Sequence, residues 1–310
     1  MKEILFLSTE FKYRLWGGQK LTTIYNQKLP YENTGEAWCI SAHPNGPSTI
    51  LNGVYKGMTL DKLYEVDKSL FGNLNSKDFP LLVKIIDAND DLSIQVHPND
   101  ELAAKYHSLG KTECWYILDA SADAYIIMGH HALTKEEFIE KVSNGQWDSL
   151  LRKVPVKKGD FFYIPAGVLH AIGKGLLILE TQQSSDITYR LYDYDRIDQN
   201  GLPRPLHLKE GIAATSIPSP TINTEVKIIH YGDNIQTILI DSVYFKVEKY
   251  ELSTPCELSV DKFKLITFIE GSGLINNQPF KKGDSCLVTN DFNHVLIMPN
   301  ENTCFISSSI

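Results

Sequence analysis

Two stretches of this chain repeat the same turn and the same spacing from that turn to a histidine. Val156-Lys-Lys-Gly159-Asp160 leads to His170, and Phe280-Lys-Lys-Gly283-Asp284 leads to His294, each histidine 11 residues after its glycine. An apolar run precedes each turn, Trp115–Leu118 in the first case and Leu265–Ile269 in the second. The second run enters its turn directly through Gly271-Ser-Gly273, whereas extra sequence separates the first run from its turn. A hairpin turn that recurs with its flanking runs points to one β unit used twice, the first copy with an insertion. Because the flanks agree, duplication explains the pattern better than a common turn recurring by chance.

The rest of the chain fits a β architecture. Phe79–Asp87, Leu92–His97, Cys114–Leu118, Ala124–Met128, Phe161–Ile164 and Leu176–Glu180 are short apolar or alternating runs punctuated by Gly, Pro and Asn. At this density they predict a sandwich or barrel. Helical patterns are few. Thr59 precedes Leu60, Leu63, Val66 and Leu70 at helical spacing, and Asn99 or Asp100 could cap a short helix running to Leu109 and stopped by Gly110. Thr134-Lys-Glu-Glu137 has the form of a capping box ahead of Phe138, Ile139 and Val142, with Asn144-Gly145 as its stop. Trp147–Arg152 and Leu206–Ala214 are weaker candidates. The stretch 215–225, with two prolines and neither period, has linker composition. The expected organisation is a first domain over residues 1–214, with a helical insertion around 134–152, and a second over 226–310.

Composition narrows the function. The 310 residues are enough to bury a large core. With 30 Lys and Arg against 38 Asp and Glu, a net charge of −8 and no basic block, the chain lacks the footprint of a nucleic-acid binder. No apolar run approaches the roughly 18 residues of a membrane span. Met1-Lys2-Glu3 leads into only four apolar residues, Ile4 to Leu7, too short for the core of a secretory leader. The five cysteines are odd in number, scattered and free of any CxxC pair, as expected of reduced thiols in a cytoplasmic protein. An enzyme or a binding module remains.

The chemistry concentrates in four residues. Gln95 and His97 lie two apart on a predicted strand, so their side chains share a face. Glu113 heads the run Cys114–Leu118, and His170 follows the turn Pro165-Ala-Gly167. A lone histidine on an apolar strand is ordinarily a hydrogen-bonded core residue. Two imidazoles, a carboxylate and an amide oxygen converging from three strands instead form a divalent-metal site with room for water or substrate. The donor set suits Zn²⁺ and excludes none of Mn²⁺, Fe²⁺, Co²⁺ or Ni²⁺.

These residues carry a resemblance. Gly159-Asp-Phe-Phe-Tyr-Ile-Pro-Ala-Gly-Val-Leu-His170 resembles the second motif of the cupins, and Gln95-Val-His97 with Glu113 resembles a variant of the first, Gln replacing one His. Trp16-Gly-Gly-Gln-Lys-Leu21, Gly35-Glu-Ala-Trp-Cys-Ile-Ser-Ala-His-Pro44, the run Phe79 to Pro98, Gly110-Lys-Thr-Glu113 and Tyr189-Arg190 are more specific. They resemble the type I mannose-6-phosphate isomerases, the short bacterial form most closely, over most of residues 10–212, with the C-terminal third matching loosely. The resemblance implies a mainly β fold of two cupin-like jelly-roll barrels with a small helical insertion. It also implies one Zn²⁺ per chain on Gln95, His97, Glu113 and His170, and interconversion of mannose 6-phosphate and fructose 6-phosphate through an enediol. The family's active-site lysine and arginine fall on Lys111 and Arg190. Thr112 stands where longer members have proline, which implies a less rigid entry to the strand.

Candidate substrate contacts are Arg14, Trp16, Glu36, His43 and Lys84, with Arg196 and Arg204 as further cations for the phosphate. Lys84 lies inside an apolar run, where an unpaired charge is costly, so pairing with Glu36 or Asp87 is the alternative. Trp16, Trp38 and Tyr192 could stack on a sugar, with core packing as the ordinary role of each. His130-His131, after Gly129, reads as exposed. The second copy lacks the Pro-x-Gly turn and any Gln-x-His, so it is expected to be a metal-free packing module. The expected partner is a sugar phosphate, with no nucleic acid or membrane, the chain acting as a monomer or homodimer. An Fe²⁺-dependent oxygenase and a non-catalytic sugar-binding protein are the rival functions; oxygen uptake and a coupled isomerase assay separate them.

Overall fold

The structure, a computed structural model, describes residues 2–198 and 201–310. Met1, on which the leader reading began, lies outside them. Two compact units form: Met1–Glu10, Ala37–Lys84 and Thr224–Ile310 make one, and Phe11–Glu36 with Ile85–Asn223 make the other. A boundary drawn only at 215–225 therefore misplaces residues 1–10 and 37–84. The reason lies in packing. Leu5–Leu7 adds an edge strand to Ser285–Val288, with Leu5 opposite Leu287. Phe71 and Phe79 meet Phe263 at 5.9 and 5.7 Å between ring centroids.

The unit that includes Ile85–Asn223 holds most of a sheet in the order Glu10–Gly18, Thr34–Ser41, Leu81–Ala88, Leu176–Gln183, Glu113–Ala120, Phe161–Ile164. A second sheet runs Tyr189–Tyr192, Ile94–Val96, His170–Ile172, Tyr125–His130, Leu151–Pro155. Side chains from both sheets, among them Trp16, Ile86, Trp115 and Ile178 from the first and Ile126 and Ile172 from the second, fill one core. The other unit packs a seven-stranded sheet on a four-stranded one around Phe268, Phe280, Phe305 and Tyr250. The fold is mainly β and cupin-like, as expected. Its sheets face each other as open sandwiches and do not close into barrels, because among the described residues their outer strands do not pair with each other.

The repeat is visible bond for bond. Gly159 N–H donates to Ile117 C=O and Gly283 N–H to Phe268 C=O, both at 2.8 Å. Asp160 accepts from Lys157 N–H and Asp284 from Lys281 N–H, both at 2.9 Å. Both glycines have positive φ, +92° and +89°, where a Cβ would be strained. The insertion in the first copy is helical at Lys135–Ser143 and Trp147–Leu150. Thr134 caps the longer helix by accepting from Glu137 N–H, and Glu137 in return accepts from Leu133 N–H. The helix at Asn99 is shorter than its pattern. Asn99 accepts from Leu102 N–H, and the chain leaves helical geometry at His107, two residues before Leu109. After Leu60–Val66, Asp67 breaks the run, so Leu70 falls in a separate 3₁₀ turn, Lys68–Phe71.

Candidate metal centre

Gln95, His170 and Arg190 stand in one row across the second sheet. His170 lies opposite Gln95 and Arg190 lies opposite Gln95 on its other side. Directly opposed residues share a face, so the three side chains emerge together. His97 follows two residues later on that face. Glu113 starts its strand on the other sheet, preceded by Gly110-Lys111-Thr112. A Cβ at Gly110 would lie 2.6 Å from backbone atoms of Asn99 and Asp100, so only glycine lets these segments approach so closely. Thr112 N–H donates to Gln183 Oε1 at 2.9 Å and its hydroxyl accepts from Ala166 N–H. The entry expected to be loose without proline is thus pinned, by a backbone N–H that proline lacks.

His97, Glu113 and His170 are buried, and their ligand atoms lie within 4.8 Å of one another. Each imidazole is oriented from behind. His97 Nδ1 donates to Ile187 C=O and His170 Nδ1 to Val168 C=O, both at 2.8 Å. Such bonds fix the tautomer and leave each Nε2 lone pair facing the carboxylate. Glu113 stands between them, Oε2 3.5 Å from His97 Nε2 and Oε1 3.5 Å from His170 Nε2. A tetrahedral ion with bonds of about 2.1 Å needs donors about 3.4 Å apart, so these spacings fit. Gln95 Nε2 lies 3.3 Å from His170 Nε2, which puts the amide at the same point.

A cation already lies among these donors. Lys111 Nζ is 3.0 Å from His97 Nε2, hydrogen-bonded to Glu113 Oε2, and 3.5 Å from Glu180 Oε1. A buried ammonium standing between two carboxylates and an imidazole nitrogen marks the cluster as one that attracts positive charge. Glu180, which sequence reasoning missed, accepts from Trp115 Nε1 at 2.9 Å and is itself buried. Its signal was present: a carboxylate closing the apolar run Leu176–Leu179, where burial without a partner is costly.

Arg190 is half-buried. Its Nε donates to Ser93 Oγ at 3.3 Å and one terminal nitrogen to Pro205 C=O at 2.9 Å. Burial pushes its guanidinium down to about 10, with Arg204, Arg196 and Arg14 adding to the fall and Asp193 opposing it. It remains charged at neutral pH. Arg196 and Arg204 are already committed, both binding Asp193. Burial acts to raise that carboxyl, but the two guanidiniums outweigh it and hold it below the usual carboxylate range. Both guanidiniums are thus already partly engaged by this one carboxylate.

The remaining candidates divide. Arg14 grips Glu36 with Nε and a terminal nitrogen, at 3.2 and 2.9 Å. Asp87 accepts from the N–H of Lys20 at 2.6 Å and of Leu21, at the start of the helix Lys20–Tyr25. Lys84 is buried in its strand, and half-buried His43 meets Trp38 edge to face at 5.6 Å. Trp16 is 4% exposed and packed with Ile86 and Trp115, the core packing that is its ordinary role. Tyr192 is stacked on Trp147 at 4.9 Å, so that face is taken. His131 is exposed, but His130 is buried, its Nε2 donating to Ser216 C=O. Sequence alone misread His130 because the chain beyond residue 214 folds back over it.

A cupin-type sandwich with one buried His–Glu–His cluster defines a candidate metal-dependent cupin. Residues 4–119 match the catalytic domain of type I phosphomannose isomerases, and residues 234–305 match the cupin domain of mannose-6-phosphate isomerases. The family likeness thus extends into the C-terminal third, beyond the span read from sequence. A mannose-6-phosphate isomerase of Bacillus subtilis is 51% identical over 92% of this chain and 93% of its own length. One of Streptococcus mutans is 46% identical over 94% and 93%. The crystal structure of mannose 6-phosphate isomerase from Bacillus subtilis superposes with a TM-score of 0.96 at 41% identity, covering all of both chains. The chain belongs to the type I mannose-6-phosphate isomerase family. Among the described residues, no helix is long and apolar enough to cross a membrane.

Proposed function

We infer that this protein is an aldose–ketose isomerase that interconverts mannose 6-phosphate and fructose 6-phosphate. The observation that supports this most directly is the convergence of His97, Glu113 and His170, with Lys111 against them and Arg190 two strands from His170. His97 Nε2, His170 Nε2 and the Glu113 carboxylate would hold a Zn²⁺ ion, and a half-turn of the Gln95 amide would add its oxygen. When bound, such an ion polarises the sugar carbonyl and stabilises the negative charge of the enediolate.

The protein's own residues do the rest. Isomerisation moves a proton between C1 and C2, so a group that can hold and return it must lie beside both carbons. Lys111 Nζ is buried at the donor cluster and suited to that relay. Glu180, fixed by Trp115, sets the position of Lys111. Arg190 keeps part of its planar fork open, a fixed positive group for the enediolate oxygens. Arg14, Glu36, His43 and Lys84 are assigned to the sugar phosphate.

The test is metal content measured with a coupled assay that follows mannose 6-phosphate to glucose 6-phosphate through phosphoglucose isomerase. Chelation should remove about one ion per chain together with the activity, and Zn²⁺ should restore both. Undiminished turnover after complete metal removal would overturn the reading, and metal-dependent oxygen uptake without isomerisation would replace it with an oxygenase.

A further inference from the structure

The C-terminal sandwich carries a second polar cluster on the face that corresponds to the metal centre. The shared turn sets the correspondence. Glu113 lies opposite Ile164 and Lys264 lies opposite Val288, each in the pair four residues before the bonded Ile117 or Phe268. Lys264 therefore occupies the place of Glu113. By the same registers Ser307, opposite Ile266, occupies the place of Glu180, opposite Trp115.

Lys264 and Glu248 are buried, and Glu248 lies directly opposite Ser307. Glu248 accepts from Lys264 Nζ at 3.0 Å, Lys246 Nζ at 3.0 Å and Gln236 Nε2 at 2.8 Å. Gln236 also donates to the Tyr250 hydroxyl and accepts from that of Tyr231. The carboxylate is saturated, but the donors are not. Among the described residues, Lys264 Nζ has Glu248 as its one hydrogen-bond partner, which leaves two N–H groups of a largely buried ammonium unused. Ser307, 1% exposed, has no partner for its Oγ. Asp241 and Asp261 also face Lys246, but both are exposed to solvent. Glu248 thus serves two ammonium groups, Lys264 buried and Lys246 partly exposed, and the cluster keeps the unused N–H groups of Lys264 and the Ser307 hydroxyl, which can also donate.

We propose that Lys264, Ser307 and Lys246 bind the oxyanion of a small phosphorylated molecule, a second ligand site in the C-terminal sandwich that holds no metal. Spare donors around a buried positive charge call for an acceptor with negative charge. A phosphate oxygen supplies both, and the hydroxyls of Tyr231 and Tyr250, joined to Glu248 through Gln236, are the groups assigned to a polyol attached to it.

Titration of the isotope-labelled, metal-loaded protein with inorganic phosphate, followed residue by residue by NMR, tests this. Saturable shifts are expected at Lys264, Ser307 and Glu248, tighter for fructose 6-phosphate than for phosphate alone. Lys264→Met should abolish them while leaving kcat within roughly twofold of wild type, since the change touches no reacting group. Should that variant fail to fold, Ser307→Ala removes only the hydroxyl and should weaken the phosphate response at least threefold. Unmoved signals at the three residues, or shifts that persist unchanged in either folded variant, would overturn the site. A response to phosphate that is no tighter for the sugar phosphate would sink the assignment of a phosphorylated polyol.

Discussion

The two sandwiches of this protein share a turn down to its individual hydrogen bonds, yet one gathers a buried His–Glu–His cluster that could hold a metal ion and, among the described residues, the other does not. The difference rests on few positions. His170 pairs with Gln95 on its neighbouring strand, whereas His294 pairs with Ser259 and is exposed. Where Glu113 offers a carboxylate to two imidazoles, Lys264 places a cation held by Glu248. An ammonium at a ligand position repels an incoming ion and satisfies the local carboxylate from within. The backbone of this fold therefore tolerates either solution, and the inner-face side chains decide which one forms.

The sharpest way to break the comparison is to give the first sandwich the residue of the second. Glu113→Lys should reduce bound metal to background and lower kcat at least about 10³-fold, since it removes a ligand and installs a charge against the ion. His170→Ala should likewise lose metal and activity together, while His294→Ala should leave both within about twofold, as surface substitutions usually do. A His170→Ala enzyme with full metal occupancy would refute the ligand assignment. Arg190→Ala should separate the two properties, retaining the ion while losing about 10²–10³ in kcat. A rate within about threefold of wild type would leave under about 0.7 kcal/mol for that residue, too little for the role. A smaller effect is expected for Glu180→Gln, about tenfold in kcat with metal content unchanged. Metal loss in that variant would instead make Glu180 part of the ion's cage.

The contrast also shows what the sequence could reveal. The duplication was legible because hairpin chemistry is local: Lys-Lys-Gly-Asp encodes its turn through one positive φ and one aspartate bond. The four donors were legible because strand period and turn spacing place them on common faces. Glu180 was not read as functional, because its partners Trp115 and Lys111 lie on a different strand segment and only the fold brings them together. For the same reason the sequence did not show that Arg196 and Arg204 neutralise Asp193. Residues 1–10 and 37–84 were assigned to the wrong unit because their packing is wholly non-local, an edge strand and a cluster of phenylalanines with no signal in the intervening chain.

The insertion that distinguishes the first sandwich gives the smallest and most specific prediction. His130 sits where this segment leaves the sheet, its ring 4.7 Å from that of Phe138 in the inserted helix and its Nε2 donating to Ser216 C=O. Burial lowers its pKa, helped by the charges of Arg152 and His131 and opposed by the bond to Ser216 and by Glu137. An unfolded histidine titrates near about 6.5. Between that value and the lower folded pKa, the unfolded chain binds more protons than the native one, so stability falls as the pH falls. The contribution is complete above the unfolded pKa and is lost as pH drops through the window below it. Thermal unfolding measured from pH 7.5 to 5 should therefore decline more steeply for the wild-type protein than for His130→Gln, whose amide can still donate to Ser216 without titrating. The C-terminal sandwich has no such insertion, so hydrogen exchange in its strands should show the same pH response in both proteins. Identical melting profiles for the two proteins would mean that His130 does not couple the insertion to pH.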